Sequence, residues 1–306
     1  MNDRETTAAN AFEERLRSGR FAITAEIAPP ASCDADDLRR KAEKLVGLAD
    51  AVNVTDGAGA RAAMSALAAA TILRGMGIAP ILQLACRDKN RIALQGELMG
   101  AAALGIRNLL LLTGDDPKAG DQPDTKPVFD INSNALIETA RRLRDEGTLP
   151  NGRKVGGKAA FFLGAADVPI DPPAGWQPNA LAAKVKSGAQ FAQTQFCMDA
   201  GIVRRYVGAL EAADLGRGQL AILIGVTPLR SAKSAAWMKS HLFGTIIAEA
   251  YISRIEAAAD PAREGIRICT ELIDELAAIP GVAGAHIMAP GNDAAIPDVI
   301  AAVRAR

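Results

Sequence analysis

The sequence predicts a closed (β/α)8 barrel, with one domain spanning residues 1–306. Three observations carry that expectation. Eight short apolar runs recur along the chain, and most are continuous rather than alternating, as in parallel strands covered on both faces. Segments with helix caps and stops separate them. About eight strand–helix units in a single chain of this length match a TIM barrel.

The elements follow in order. Residues 1–19 read as a polar, helical N-terminal extension. "FAITAEI" (21–27) is the first strand, and Asp34 can cap the helix "ADDLRRKAEKLVGLA" that follows. "AVNVT" (51–55), "PILQLAC" (80–86) and "NLLLL" (108–112) are the next three strands. Asp88 or Asn90 can cap "RIALQGELMGAAALG", with Gly105 at its end, and Ser133 can cap "NALIETARRLRDEG", which Gly147 closes. Strands five to eight are "AAFFLGA" (159–165), "QFAQTQF" (190–196), "LAILIGV" (220–226) and "GAHIMA" (284–289). Extra helices fit near the C-terminus at 230–257 and 261–279, before a last helix in "NDAAIPDVIAAVRAR". The rival is a doubly wound open sheet, which usually has fewer strands and often a glycine-rich phosphate turn. "DGAGAR" (56–61) lacks the full GxGxxG spacing, and "KVGGK" (154–158) precedes a strand, the wrong side for such a loop.

Composition removes several functions. Lys+Arg and Asp+Glu are both 35, so no basic field invites nucleic acid. No apolar run approaches the roughly 20 residues of a membrane span. The polar start lacks the apolar centre of a signal peptide, and a cytoplasmic location is expected. Cys33, Cys86, Cys197 and Cys269 lie far apart without a CxxC pair and read as buried free thiols. His241 and His286 are the only histidines, so no zinc site is expected.

A barrel carries its chemistry at the C-terminal ends of its strands. Glu26 ends strand one between Ala25 and Ile27. Facing inward, its charged form is poorly solvated, which suits a general acid; the alternative is a structural carboxylate paired with a barrel Lys or Arg. Thr55 and Asp56 end strand two, and Gln83 lies on strand three before "CRDKN". Strand four turns at Thr113 and Gly114, which aims Asp115 over the mouth unless it is a loop or cap acid; Asp116 reads as solvated. Gln193 and Gln195 share a face of strand six. A buried amide must find partners. A ligand supplies them in one reading and the core in the other. His286 lies on strand eight. Lys184, just before strand six, either meets a phosphate or is a surface lysine. The loop "DDPKAGDQPDTKPVFD" after strand four is long and polar, and such barrel loops are usually functional.

At these residues the chain resembles the methylenetetrahydrofolate reductase family. The matching pieces run in order: "AEIAPP", "VNVTDGA", "CRDKN", "LLLLTGDDPKAGDQPD", "VFDINS", "KVKSGAQFAQTQFCMD" and "GVTPLRSAKSAAWM". The wording looks like a bacterial, single-domain branch. The resemblance implies FAD at the barrel mouth and hydride from NADH or NADPH. It implies reduction of 5,10-methylenetetrahydrofolate to 5-methyltetrahydrofolate, an oxidoreductase reaction on a CH–NH donor in one-carbon metabolism and methionine biosynthesis. It also implies a homo-oligomer. Glu26 matches the general acid, Asp115 the acid between flavin and pterin, and Gln195 the amide that orients the substrate. Thr55, Gly114 and Lys184 match flavin contacts, and Met238 an apolar residue against the folate.

Four positions depart from the family pattern. Gln83 stands where better-known members have His, and Thr113 where they have Arg. "GAADVP", at Ala166, lacks their Tyr, and Ser234 aligns with a substrate-contacting Gln. With flavin contacts altered, two alternatives stay open. One is a flavin-independent reductase; the other is a non-reductive folate-binding or methyl-transfer barrel.

Overall fold

A computed structural model describes residues 11–306 apart from Arg217. Eight parallel strands close on themselves. They are β1 (Ala22–Ile27), β2 (Ala51–Val54), β3 (Pro80–Ala85), β4 (Asn108–Leu112), β5 (Phe162–Asp167), β6 (Phe191–Met198), β7 (Ala221–Val226) and β9 (Val282–Ile287). Each pairs with the next, β5 with β6 through Gly164 opposite Phe191, and β9 closes the ring onto β1 through Ala22 opposite Gly284. β8 (Ile246–Ile247) is a two-residue addition outside the barrel, paired to the end of β6. The fold is the (β/α)8 barrel that the strand–helix alternation predicts.

The helices are α1 (Ala35–Ala42), α2 (Ala66–Gly75), α3 (Arg91–Ala103), α4 (Ser133–Asp145), α5 (Asn179–Ser187) and α6 (Ala200–Ala212). They continue with α7 (Ala232–His241), α8 (Glu249–Glu256), α9 (Pro261–Ala277) and α10 (Ile296–Arg304). Asp34 caps α1 by accepting from Asp36 N at 2.9 Å. Asn90, rather than Asp88, caps α3. The cap of α4 is Asn132, which is extended (φ −100°, ψ 176°), and Ser133 is already inside the helix.

Three expectations shift. The segment 230–257 is not one helix: α7 stops before Leu242, Gly244 takes φ +73°, and β8 intervenes before α8. Strand five starts and ends later than expected, because Phe162 N is the group that joins the ladder, at 2.9 Å from Arg107 O; the run "AAF" before it is still entry. Asp167, not Ala165, therefore ends the strand. Cys33 is exposed, whereas Cys86, Cys197 and Cys269 are buried free thiols. Burial pushes the Cys86 thiol up to about 11 and Cys197 to about 12. Among the described residues no helix is long and apolar enough to cross a membrane.

Strand alternation sorts the side chains into an outer and an inner set. Ile23, Ala25 and Ile27 of β1 belong to the outer core against the helices. The inner set forms layers. The lowest is apolar and contains Ala22, Ala51, Ile81, Phe162, Phe191 and Leu223. Gly164 leaves room for the ring of Phe191, which a Cβ there would meet at 2.2 Å. Phe12 and Leu16, on the helical residues 11–17, close this layer from below. The expected extension is thus part of the core where it is described; residues 1–10 lie outside the described residues.

Above the apolar layer sits a polar one. Asn53 and Gln193 exchange amide hydrogen bonds at 2.6 and 3.0 Å, and Gln193 Nε2 also reaches Thr24 Oγ1 at 3.1 Å. His286 Nδ1 meets Thr24 Oγ1 at 2.9 Å and Gln193 Nε2 at 3.3 Å. The amide nitrogen of Gln193 has two protons to give, and Asn53 Oδ1 and Thr24 Oγ1 are its nearer acceptors, with His286 Nδ1 the third neighbour. Each of these buried groups is partnered, which is what lets a polar layer persist inside a barrel.

Candidate functional site

The third inner layer opens into a cleft of about 830 Å3 at the C-terminal mouth. Glu26 occupies its floor. Its Oε2 accepts from Gln83 Nε2 at 3.1 Å and lies 3.6 Å from His286 Nε2. The side chain keeps 23% of its surface exposed, so it meets both the polar layer and the cleft. Its partners are a neutral amide and an imidazole, not the Lys or Arg of a structural ion pair.

The loops after β2, β3 and β4 are tied together around Arg87. This buried guanidinium binds Asp88 through both faces of its fork, at 2.8 and 2.6 Å, and donates to Gly57 O at 3.0 Å. The Asp88 hydrogen bond, working against desolvation, holds its pKa above the ordinary value. Asp56 receives Ala85 N at 2.9 Å and Lys89 Nζ at 2.6 Å. Asp115 is exposed, lines the cleft, and accepts Gly59 N at 3.0 Å. The "DGAGAR" loop thus serves as a seat for Asp115 and Arg87. Gly114 turns the chain at φ +95°; a Cβ there would come within 3.0 Å of the Arg87 Cβ. Asp116 points elsewhere and caps the short 3-10 turn Pro117–Ala119 through Lys118 N at 2.9 Å.

The two strand-six glutamines have separate fates. Gln193 is 3% exposed and spent within the polar layer. β6 is irregular between Gln193 and Phe196, and Gln195 reaches the cleft, where Nε2 donates to Phe243 O at 3.2 Å. Gln193→Ala should therefore destabilise the fold by about 1–3 kcal/mol, since Asn53 and Thr24 lose their partner. Chemical denaturation of Gln193→Ala and Gln195→Ala tests this: equal destabilisation would refute the assignment.

The cleft gathers most of the residues the sequence singles out: Glu26, Thr55, Gln83, Thr113, Gly114, Asp115, Ala166, Lys184 and Gln195. Lys184 Nζ donates to the Ala166 carbonyl. Two residues are elsewhere. Ser234 is engaged in the capping box of α7 with Ser231, and Met238 is packed in the outer core. Sequence reasoning missed Asp167, Trp176 and Phe243, which also line the cleft. An acid directly after "GAA" marks Asp167 once strand five is placed correctly. Nothing in the pattern marks Phe243, which lies where a continuous helix is expected and is 85% exposed. Among the described residues, no group of three or more His, Cys, Asp or Glu could hold a metal ion.

An eight-stranded parallel barrel with an acid-rich cleft at its C-terminal mouth defines a (β/α)8 protein with its ligand site in the place usual for that fold. The methylenetetrahydrofolate reductase family model matches residues 11–304, and the chain belongs to that family. Among solved structures, it resembles an uncharacterised protein from Clostridium thermocellum that binds two copies of 5-methyl-5,6,7,8-tetrahydrofolic acid. The TM-score is 0.66 at 13% identity, over 96% of this chain and 98% of that one. A putative phosphonomutase from Burkholderia cenocepacia aligns at a TM-score of 0.50 and 13% identity, over 98% of each chain. At these identities the two likenesses concern the fold. Comparison with curated proteins returns no significant match.

Proposed function

We propose that the protein reduces 5,10-methylenetetrahydrofolate to 5-methyltetrahydrofolate, with NADH or NADPH as hydride source and FAD as carrier. The observation that carries the reading is Glu26, an inward carboxyl at the barrel mouth held by Gln83 and facing His286. The folate-binding neighbour supports the substrate class.

The bridged folate must open before it can accept hydride. Protonated Glu26 gives its proton to the departing nitrogen, and the C–N bond breaks to leave an iminium ion. Asp115 contributes negative charge beside that cation, which favours its formation. Gln195 offers an amide to the pterin. Hydride adds to the iminium carbon and yields the methyl group.

The cleft suits a flavin. Leu110, Leu112, Ala166 and Leu181 give its lining apolar surface, and Thr113, Gly114 and Lys184 line the same cleft. These residues would hold FAD, which when bound accepts hydride from the nicotinamide and passes it on. Purified protein should show flavin absorbance, below full occupancy because Gln83, Thr113 and Ala166 replace stronger contacts. The surplus of carboxylates in the cleft favours one second reading, direct transfer from nicotinamide to folate. Colourless protein that reduces methylenetetrahydrofolate and gains nothing from added FAD would establish that reading and overturn the first.

Gln195→Ala should weaken folate use more than nicotinamide oxidation, by the roughly 0.5–1.5 kcal/mol of one hydrogen bond to a neutral partner. Steady-state kinetics with each substrate varied in turn measures this. Equal losses would make Gln195 a structural residue.

A further inference from the structure

Gln195 meets the cleft with both ends of its amide already tied. Oε1 accepts Phe196 N at 3.0 Å, and Nε2 donates to Phe243 O at 3.2 Å. One of these neighbours only donates and the other only accepts, so the amide cannot be turned over. That leaves one N–H of Nε2 and one acceptor position of Oε1 for a ligand. The backbone beneath the side chain is fixed where β6 is irregular. Thr194 Oγ1 accepts Gly225 N and donates to Gln195 O, both at 2.9 Å. Such irregularities re-aim a side chain beside a site.

The carbonyl that holds Nε2 belongs to a tight turn. Thr245 N closes it on Leu242 O at 3.1 Å, which makes Phe243 and Gly244 its central residues. Gly244 has φ +73°, whereas Phe243 is not among the residues with positive φ. That combination is a type II turn, which calls for glycine or asparagine in the third place. With a negative φ there the turn becomes type I, and the two types differ in which way the central peptide faces. The central peptide here is the one whose carbonyl Gln195 uses. Space enforces the same choice: a Cβ on Gly244 would meet Val168 Cγ1 at 2.3 Å, and valine is stiff at χ1. The turn is also docked on the strand that carries Gln195. Directly after it, β8 pairs Ile246 with Cys197 and Ile247 with Met198 of β6.

We propose that Gly244 is a positioning residue for folate binding. Its left-handed conformation turns the Phe243 carbonyl onto Gln195 Nε2, and this fixes the donor and the acceptor that Gln195 shows to the pterin. The proposal rests on the reductase reading, in which Gln195 meets the folate.

Titration calorimetry of the purified protein with 5-methyltetrahydrofolate tests it. Gly244→Ala should weaken binding by about three- to tenfold, as Gln195→Ala does, the worth of one hydrogen bond to a neutral partner. The double variant should be no weaker than Gln195→Ala alone, because both changes remove the same contact. In steady-state kinetics the loss should fall on the KM for methylenetetrahydrofolate rather than on kcat. Asparagine tolerates positive φ, so Gly244→Asn should keep more affinity than Gly244→Ala. Gly244→Asn carries the test if thermal unfolding shows that Gly244→Ala does not fold. Wild-type affinity in folded Gly244→Ala would overturn the proposal. So would losses that multiply in the double variant, since Gly244 would then act without Gln195. If Gln195→Ala binds as tightly as wild type, or wild type binds no folate, the reading of Gln195 fails and the proposal with it.

Discussion

Glu26→Gln is expected to slow methylenetetrahydrofolate reduction by about 10²–10⁴-fold, the usual worth of general acid catalysis. The substitution keeps the size of the side chain and an oxygen for Gln83 Nε2, but it has no acidic proton to give. The environment of Glu26 explains why the loss should be this large. Of the groups around Glu26 Oε2, Gln83 at 3.1 Å is a neutral amide and no acid, which leaves His286, its Nε2 3.6 Å away, as the one titratable neighbour. Its opposite nitrogen is held by Thr24 and Gln193, and the ring is only 2% exposed, which restricts its access to a substrate in the cleft. Oxidation of the nicotinamide by an artificial electron acceptor needs no proton at the folate nitrogen and should stay within a few-fold of wild type. The two rates on one preparation separate catalysis from folding. A folate rate within a few-fold of wild type would move the acid's role to Asp115 or to water.

Much of this site is legible because a strand has period two. Glu26, Thr55 and Gln195 are polar residues near the ends of apolar runs and Gln83 interrupts one, and inward parity brings all four to one mouth. Parity alone does not separate Gln193 from Gln195. The distinction depends on Asn53 and Thr24, which are distant in sequence and meet Gln193 only when the barrel closes. Asp167 is not legible because the apolar entry segment reads as strand, which moves the strand end by two residues. Ser234 and Met238 rest on motif alignment alone. Their orientation depends on where α7 begins and on which of its faces meets the core, and the pattern does not set either. Gly244 and β8 break the segment 230–257 through pairing with β6, a tertiary contact that overrides a good helical pattern.

The largest stability effect should come from the end opposite the chemistry. Phe12 is 0% exposed and sits among Ala22, Ala51 and Ala79 at the start of β1, β2 and β3. Those methyl groups are too small to fill the lower barrel, so a ring from outside the strands completes the layer. It meets Phe162 and Phe191 edge-on, with centroids 5.9 and 5.4 Å away. Phe12→Ala would leave a cavity bordered by the rings of Phe162 and Phe191 and by strands locked in a closed sheet, which resists collapse. The expected loss is about 3–5 kcal/mol, at the high end for aromatic truncation because the walls are rigid. Phe243→Ala, at an 85% exposed ring, is the control and should shift stability by no more than about 0.5 kcal/mol. Urea unfolding of both variants, followed by circular dichroism, gives the comparison. If Phe12→Ala unfolds with the midpoint of the control, the helical residues 11–17 do not close the barrel, and the lower layer must be filled by the strands alone.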